Sequence, residues 1–558
     1  MPPIALIVTD TKRSRLGHRA RLGDVLGDAN VLTHTLRRAA TLSGVSRLVL
    51  VHPAGQAAAV AGLIAAERFD KPVQLFETPS EMMPTSDARW VAARRWAPTA
   101  WRGGLGGATA FDEVLPAAPL VAAMDEHNAE SAVLLRAEWC LFEPAYAEGQ
   151  LARHCEDPAA YKLTFSQAPP GLSCVVAHRE ALERLVSSQG SFGTGLTYQP
   201  RRPQGDPIGR DLNHAIPHTV RDMNRRFVYD TPRSVDLIRA IADQLGDDFA
   251  SASAVTVTDA ARAIEAEQRD WRWRRLPQQV ALELTPSRAV AGPITPRHYV
   301  TFDRPNLDAG LAQRIVSQLG DEQTAGDVAL RLGGIGDALL HPQWDEIIIA
   351  AHEAGVMSIG VDTDLLCDEA TLDRLHELPI DLLTVRLNAD RAATYEAVMG
   401  EARFKQVTDN LQYLFDARRQ RLDEGKSAVR WIVPRMVKTA ETLPDMESFF
   451  DRWMMVEGHA IIEPAQSGCG LMPEQSPVVM TPPRREACRQ LGGRMTILSD
   501  GRVALCDQDW QGQAAVGEAQ TTPLLELWRR LAEPAEQHAA GRFEVLDPCS
   551  RCREWHRP

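Results

Sequence analysis

Apolar residues along this chain recur in two alternating rhythms: short continuous runs, and longer stretches with helical spacing. The run Ile4-Ala-Leu-Ile-Val8 reads as a buried strand. A polar loop, Thr9 to Arg15, follows, then a helical pattern from Asn30 to Ala40 and a second run at Leu48-Val-Leu-Val51. Another strand is expected at Ala132 to Leu135, ending at the acidic Glu138, and a helix at Ser234 to Leu245. Strand, loop, helix and strand in this order predict an α/β domain with a largely parallel sheet over residues 1–248.

A charged helical stretch from Asp259 to Arg275 reads as a connector, placed at 249–276. Its end, Asp270-Trp-Arg-Trp-Arg-Arg275, interleaves basic and aromatic residues as a single-strand nucleic-acid surface does. The preferred reading is packed tryptophans with arginines snorkelling over them.

A second alternation covers 277–470. Strands are expected at Gln279–Leu284, Asp327–Leu332, Ser358–Val361, Leu382–Leu387, Val429–Val433 and Ala460–Ile462. Helical patterns separate them at Leu307–Leu319, Trp344–Ala354, Glu369–Leu378, Phe404–Arg418 and Leu443–Val456. Alternation this regular predicts a parallel β/α barrel or partial barrel. The proline-rich stretch Met472 to Pro483 reads as a linker, leaving a small tail within 471–558.

Composition adjusts this picture only a little. The 558 residues are 44% hydrophobic and 24% charged, ordinary for globular protein, and the net charge of −13 argues against a nucleic-acid binder. No stretch approaches the roughly 20 apolar residues that span a bilayer, and no basic residue precedes the first apolar run as in a signal peptide. A cytoplasmic protein without membrane or nucleic-acid partners is expected.

Cysteine placement changes the picture more. Of nine cysteines, Cys140, Cys155, Cys174, Cys367 and Cys469 read as scattered singles. Cys488, Cys506, Cys549 and Cys552 lie in the tail. Ser499-Asp-Gly501 is a hairpin signal that draws Cys488 toward Cys506, and Cys549-Ser-Arg-Cys552 is a turn presenting two thiolates to one centre. Four converging thiolates suit one 4Fe-4S cluster or a zinc ion.

The tail resembles the SPASM domain, the auxiliary-cluster extension of many radical SAM enzymes. The matching features are Cys488, Gly501 separated by four residues from Cys506, Cys549-x-x-Cys552, and a spacer from Gly517 to Leu524-Leu-Glu-Leu-Trp528. The fuller family pattern has seven cysteines and two clusters, so the resemblance implies a single cluster here. Residues 279 to 464 in turn resemble a radical SAM barrel. Leu332-Gly-Gly-Ile-Gly-Asp-Ala-Leu-Leu-His-Pro342 resembles the glycine-rich turn that contacts S-adenosylmethionine, which implicates Gly333, Gly334, Gly336 and Asp337. Gly360 to Leu365, Val385 to Asp390 and Thr394-Tyr-Glu396 match later landmarks. The family's defining Cys-x3-Cys-x2-Cys is absent: the three positions fall on Arg288, Gly292 and Thr295. The resemblance therefore implies the fold without reductive cleavage of S-adenosylmethionine. A tight turn kept for packing is the plainer reading of the glycines.

The first domain resembles the nucleotidyltransferases, closest to the spore-coat-polysaccharide cytidylyltransferase-like group, with a Rossmann-like, GT-A-like sheet. The resemblance rests on Ser14-Arg-Leu-Gly17, Asn30 to Arg37, Leu135 to Pro144, and Arg225 to Pro232 with Asp236. It implies an NTP with Mg²⁺ held near Arg13, Arg15, Glu138 and Asp230, acting on a sugar or sugar acid. Thr11-Lys-Arg13 and Gly17-His-Arg19 depart from the small and Pro-Gly-Lys residues of that family.

The expected function is a pseudoenzyme: a scaffold, partner-docking or electron-transfer protein with one cluster. Nucleotidyl transfer through the first domain and S-adenosylmethionine-dependent radical modification are the alternatives. The partner is expected to be another protein or a sugar nucleotide.

Overall fold

The computed structural model describes residues 2–79, 82, 87–198, 200–201, 212–268 and 270–557. The chain divides into two compact units, Met1–Arg269 and Asp270–Pro558.

The first unit is built on a six-stranded sheet. Its spatial order is Val73–Thr78, Leu48–Pro53, Ile4–Val8, Ser131–Arg136, Val175–His178 and Leu163–Phe165. The first four strands run parallel, and Val175–His178 runs antiparallel to both its neighbours, Ser131–Arg136 and Leu163–Phe165. Ile4 to Ile7 and Ala132 to Leu135 are fully buried, as strands covered on both faces require. The Asn30 side chain accepts from Thr33 N at 2.8 Å and starts the helix Val31–Ala40. The helix Pro232–Leu245 opens with proline in its first turn and a Thr231–Ser234 capping box, a contribution of about 1 kcal/mol.

The expected connector differs in form. The helix Ala254–Glu267 packs against Pro232–Leu245 inside the first unit. The Trp-Arg segment is a single tight turn, Trp271–Trp273. Trp273 packs on Trp528 with ring centroids 4.8 Å apart, and Arg274 lies over Trp271 at 4.9 Å. Its aromatic residues are thus engaged by packing rather than displayed.

The second unit carries a nine-stranded sheet. Six parallel strands lie in reverse chain order from one edge: Ile461–Pro464, Trp431–Lys438, Leu382–Arg386, Ser358–Thr363, Ala329–Leu332 and Gln279–Leu282. Helices Ala309–Gly320, Trp344–Glu353, Glu369–Glu377, Phe404–Asp423 and Met446–Val456 connect them. Asp308 and Asp368 cap two of these helices through Leu311 N and Thr371 N. The tail joins this sheet. Arg494–Ile497 runs parallel beside Gln279–Leu282, then turns back at Gly501 (φ +82°) into Arg502–Ala504 and Gly517–Glu518. One apolar core runs from Leu276 through the strands to Trp528 and Cys549, so the parallel strands and the tail share a single interior. Among the described residues no helix is long and apolar enough to cross a membrane.

Candidate functional site

Where the strands of the second unit end, ionic side chains from successive strands converge. Arg288 donates from Nε and Nη2 to both Asp364 oxygens, at 2.7 and 2.6 Å. Their side chains are 7% and 0% exposed. Gly292 is pressed against the backbone of 398–400: a Cβ there would stand 2.2 Å from the Met399 carbonyl carbon. Thr295 is buried, and its hydroxyl donates to Gly292 O at 2.9 Å. The three positions that the resemblance assigned to cluster thiolates are thus an ion pair, a backbone contact and a hydroxyl bonded to backbone.

The glycine turn is held from within. Arg386 donates to Gly336 O at 2.8 Å and Gly334 O at 2.9 Å. A Cβ on Gly336 would lie 1.9 Å from Thr285 O, so close backbone approach demands glycine there. Asp337 accepts from Leu339 N, Thr363 Oγ1 and Asp364 N at 3.0, 3.1 and 2.8 Å. Burial and then the neighbouring Asp364 push its carboxyl up to about 6. Burial works against Asp362 as well, but the Arg331, Arg435 and Arg386 guanidiniums overcome it and hold that carboxyl at about 2. Burial and then Arg288 bring Arg386 down to about 10.

The tail cysteines act on one another electrostatically. Cys506 follows the strand Arg502–Ala504, and Cys549 and Cys552 bracket the end of the short helix Asp547–Arg551. Cys552 N donates to Cys549 O at 3.2 Å, closing the expected turn. Cys488 N donates to His538 Nδ1 at 3.4 Å, and Arg485 donates to Cys549 O at 2.6 Å. Cys488 and Cys549 each feel the charge of Cys506 and Cys552, and Cys549 that of Cys488 too. Burial, reinforced by these like charges, raises Cys488 to about 11 and Cys549 to about 12.

Cys469, expected as a scattered single, stands within hydrogen-bond reach of both Cys506 and Cys552. Contact with it lowers Cys552 and raises Cys469 itself. Cys469 sits between Gly468 and Gly470, a turn signal visible in the sequence, but only folding brings that turn to the tail. All nine cysteines are free thiols. Among the described residues no group of three or more His, Cys, Asp or Glu side chains is gathered tightly enough to hold a single metal ion. As a donor set, four part-buried, mutually sensing thiols suit a cluster bound through sulfur.

In the first unit the candidate nucleotide residues are already partnered. Asp10 Oδ1 accepts from Lys12 N and Arg13 N at 2.8 and 3.2 Å, and Gln56 Oε1 accepts from Thr11 N at 2.7 Å. These side chains occupy the loop amides that a phosphate would need. Arg13 donates to Gly17 O, and Arg15 forms a two-point pair with Asp87 at 2.5 and 2.7 Å. Glu138 accepts from Arg136 at 2.6 Å, and burial raises its carboxyl. Asp230 accepts twice from Arg226, which also grips Glu113. Burial alone would raise Glu113, but Arg226 and Arg94 overcome it and hold its carboxyl at about 2.

Several known proteins resemble this chain. An uncharacterized protein of Treponema pallidum (strain Nichols) is 24% identical over 321 residues, 54% of this chain and 84% of that one. Among solved structures, BtrN in complex with AdoMet and 2-DOIA aligns at 13% identity and TM-score 0.33, covering 50% of this chain and 93% of that one. Streptococcus suis SuiB bound to S-adenosylmethionine aligns at 12% and 0.39, covering 58% and 88%. A cytidylyltransferase from Leptospira borgpetersenii aligns at 12% and 0.32, covering 48% and 96%. Residues 488–553, the stretch carrying all four tail cysteines, match the family model SPASM, an iron-sulfur cluster-binding domain.

Proposed function

We propose that this chain is a radical-SAM/SPASM-like protein that holds one 4Fe-4S cluster on Cys488, Cys506, Cys549 and Cys552. Its barrel has lost the cluster that would cleave S-adenosylmethionine. Its role is then that of a scaffold for electron transfer or partner docking. The observation that carries this reading is the Arg288–Asp364 ion pair beside the compressed Gly292, at the positions where three thiolates would have to stand. Bound at the tail, a cluster supplies one-electron transfer. The protein's own part is to hold four sulfurs in a part-buried pocket that limits solvent access and so tunes that transfer. In the first unit, side chains of the chain itself satisfy the loop amides and pair with the candidate carboxylates, which favours a structural over a catalytic role.

Anaerobic purification with iron, sulfide and zinc analysis tests the reading. Iron and sulfide near four per chain are expected, with little zinc. Under reducing conditions S-adenosylmethionine is expected to yield no 5′-deoxyadenosine. Stoichiometric zinc without iron, or steady 5′-deoxyadenosine production, overturns it.

A further inference from the structure

We propose that the polar face of the second unit's sheet binds a small hydroxylated monocarboxylate, its carboxylate gripped by Arg331 and Arg435 and a hydroxyl taken by Asp362. The site uses none of the tail cysteines and goes beyond the scaffold role argued above.

Four successive parallel strands set it out. Arg331, Asp362, Arg386 and Arg435 stand on Ala329–Leu332, Ser358–Thr363, Leu382–Arg386 and Trp431–Lys438. Leu330, Leu332, Val361, Val385 and Met436, which alternate with them, belong to the apolar core shared with the helices. Successive side chains point to opposite faces of a sheet, so the charged set occupies the other face. Thr496, between the core residues Met495 and Ile497, shares that face: it pairs with Ala281, which pairs in turn with Arg331.

The cluster is closed at one end and open at the other. The Asp362 and Arg386 side chains are 3% and 2% exposed, Arg435 12%, and Glu463 and Arg331 25% and 43%. Arg331 Nε donates to Asp362 Oδ2 at 2.7 Å, and its Nη2 bonds the same oxygen. Arg386 and Arg435 each stand 3.8 Å from that oxygen too. Three guanidiniums thus crowd one oxygen of Asp362, while Oδ1, also buried, has no hydrogen-bond partner among the described residues. Thr496 Oγ1 has none either, and Arg435 Nε faces Glu463 Oε1 at 3.3 Å without the alignment of a hydrogen bond. Buried polar atoms are nearly always paired, so three unpaired ones on a single face call for a partner from outside the chain.

Charge and donor type select that partner. The three guanidiniums set against Asp362 and Glu463 leave one positive charge, which a single carboxylate neutralises. A phosphate dianion would overshoot this balance and meet Glu463. Arg304 and Glu283, at the end of the neighbouring strand, form a closed two-point pair at 2.7 and 2.8 Å and leave the balance unchanged. Arg386 is committed to the Gly334 and Gly336 carbonyls, so Arg331 and Arg435, the more exposed pair, are the forks left for a carboxylate. The same guanidiniums keep Asp362 ionised, and an ionised carboxylate only accepts, so the ligand must bring a donor. A hydroxyl supplies one without charge, whereas an ammonium would leave the positive excess in place.

The test is titration calorimetry on the full-length protein, purified anaerobically. The probes are D-gluconate and L-lactate, compared with acetate, L-alanine, inorganic phosphate and S-adenosylmethionine. Gluconate or lactate should give saturable heat, with acetate about tenfold weaker because it leaves Asp362 Oδ1 unpaired. Arg331→Gln and Arg435→Met should each weaken binding about tenfold or more, and Arg331, being part-exposed, can be replaced without disturbing the core. Glu463→Gln, which adds to the positive excess, should tighten binding severalfold, an effect opposite in sign to structural damage. No saturable heat with either hydroxy acid overturns the proposal. So does binding that both arginine substitutions leave unchanged, or phosphate binding as tightly as lactate. Displacement of the probe by S-adenosylmethionine would reassign the site and overturn it too. Iron and zinc content do not enter this readout, so its failure is distinct from failure of the cluster reading.

Discussion

Replacing Asp364 by alanine strands the Arg288 guanidinium. The pair is bidentate, at 2.6 and 2.7 Å, and the two side chains are 7% and 0% exposed. Removing one partner of so buried a pair costs about 3–5 kcal/mol, because the remaining charge has lost both water and counter-ion. One feature moderates this. Asp337 also acts on Arg288 and, ionised above about pH 6, remains as a counter-charge when Asp364 is gone. The lower end, about 3 kcal/mol, is therefore expected. Urea unfolding followed by circular dichroism reads it. With an m-value of about 2–3 kcal/mol/M, the midpoint of the transition that reports the second unit should fall by about 1–1.5 M. The double variant Arg288→Met/Asp364→Leu is the control: with both charges gone and the volume kept, it should lie within about 1 kcal/mol of wild type or above it. A cost below about 1 kcal/mol for Asp364→Ala would refute the claim that the pair replaces a cluster as a closed electrostatic unit. A double variant as unstable as the single would refute it too.

Gly292→Ala places a methyl 2.2 Å from backbone, and overpacking should cost at least about 1–3 kcal/mol by the same urea assay; a neutral effect would mean the segment can yield and accept a side chain. Asp337, raised to about 6 by burial and Asp364, keeps a proton that the unfolded chain, with a carboxyl near about 3.9, has lost. Stability therefore falls between about pH 4 and 6 as pH rises, by about 3 kcal/mol for a shift of about two units. Asp337→Asn should lack this component, so the stability difference between variant and wild type should move in the variant's favour across that window; a flat difference speaks against the assignment. Cys549→Ser/Cys552→Ser should lose iron and the absorbance near about 400 nm that iron–sulfur charge transfer gives. Titration calorimetry with CTP and Mg²⁺ should show no binding heat, because the chain satisfies its own loop amides; micromolar binding would restore the nucleotide reading.

Much of this molecule was legible along the chain. Apolar runs and helical spacing placed the six parallel strands of the second unit and the helices between them, because a strand buried on both faces and an amphipathic helix leave local signatures. Side-chain caps such as Asn30 and Asp308, and the Gly501 turn, are equally local. So was the absence of thiols at 288, 292 and 295. What the three positions do instead was not legible. The partner of Arg288 lies 76 residues away at the end of another strand, and the partner of Gly292 is the backbone of 398–400. The same holds for the tail, where the Gly-Cys-Gly turn at 468–470 looked like an isolated thiol until Glu554 drew Ser467 against the loop of Cys552 across 87 residues. Local pattern determined the elements because helices and strands answer to neighbours in sequence. The tertiary structure alone decided the chemistry, since ion pairing, close backbone approach and thiol convergence depend on distances that only the folded chain sets.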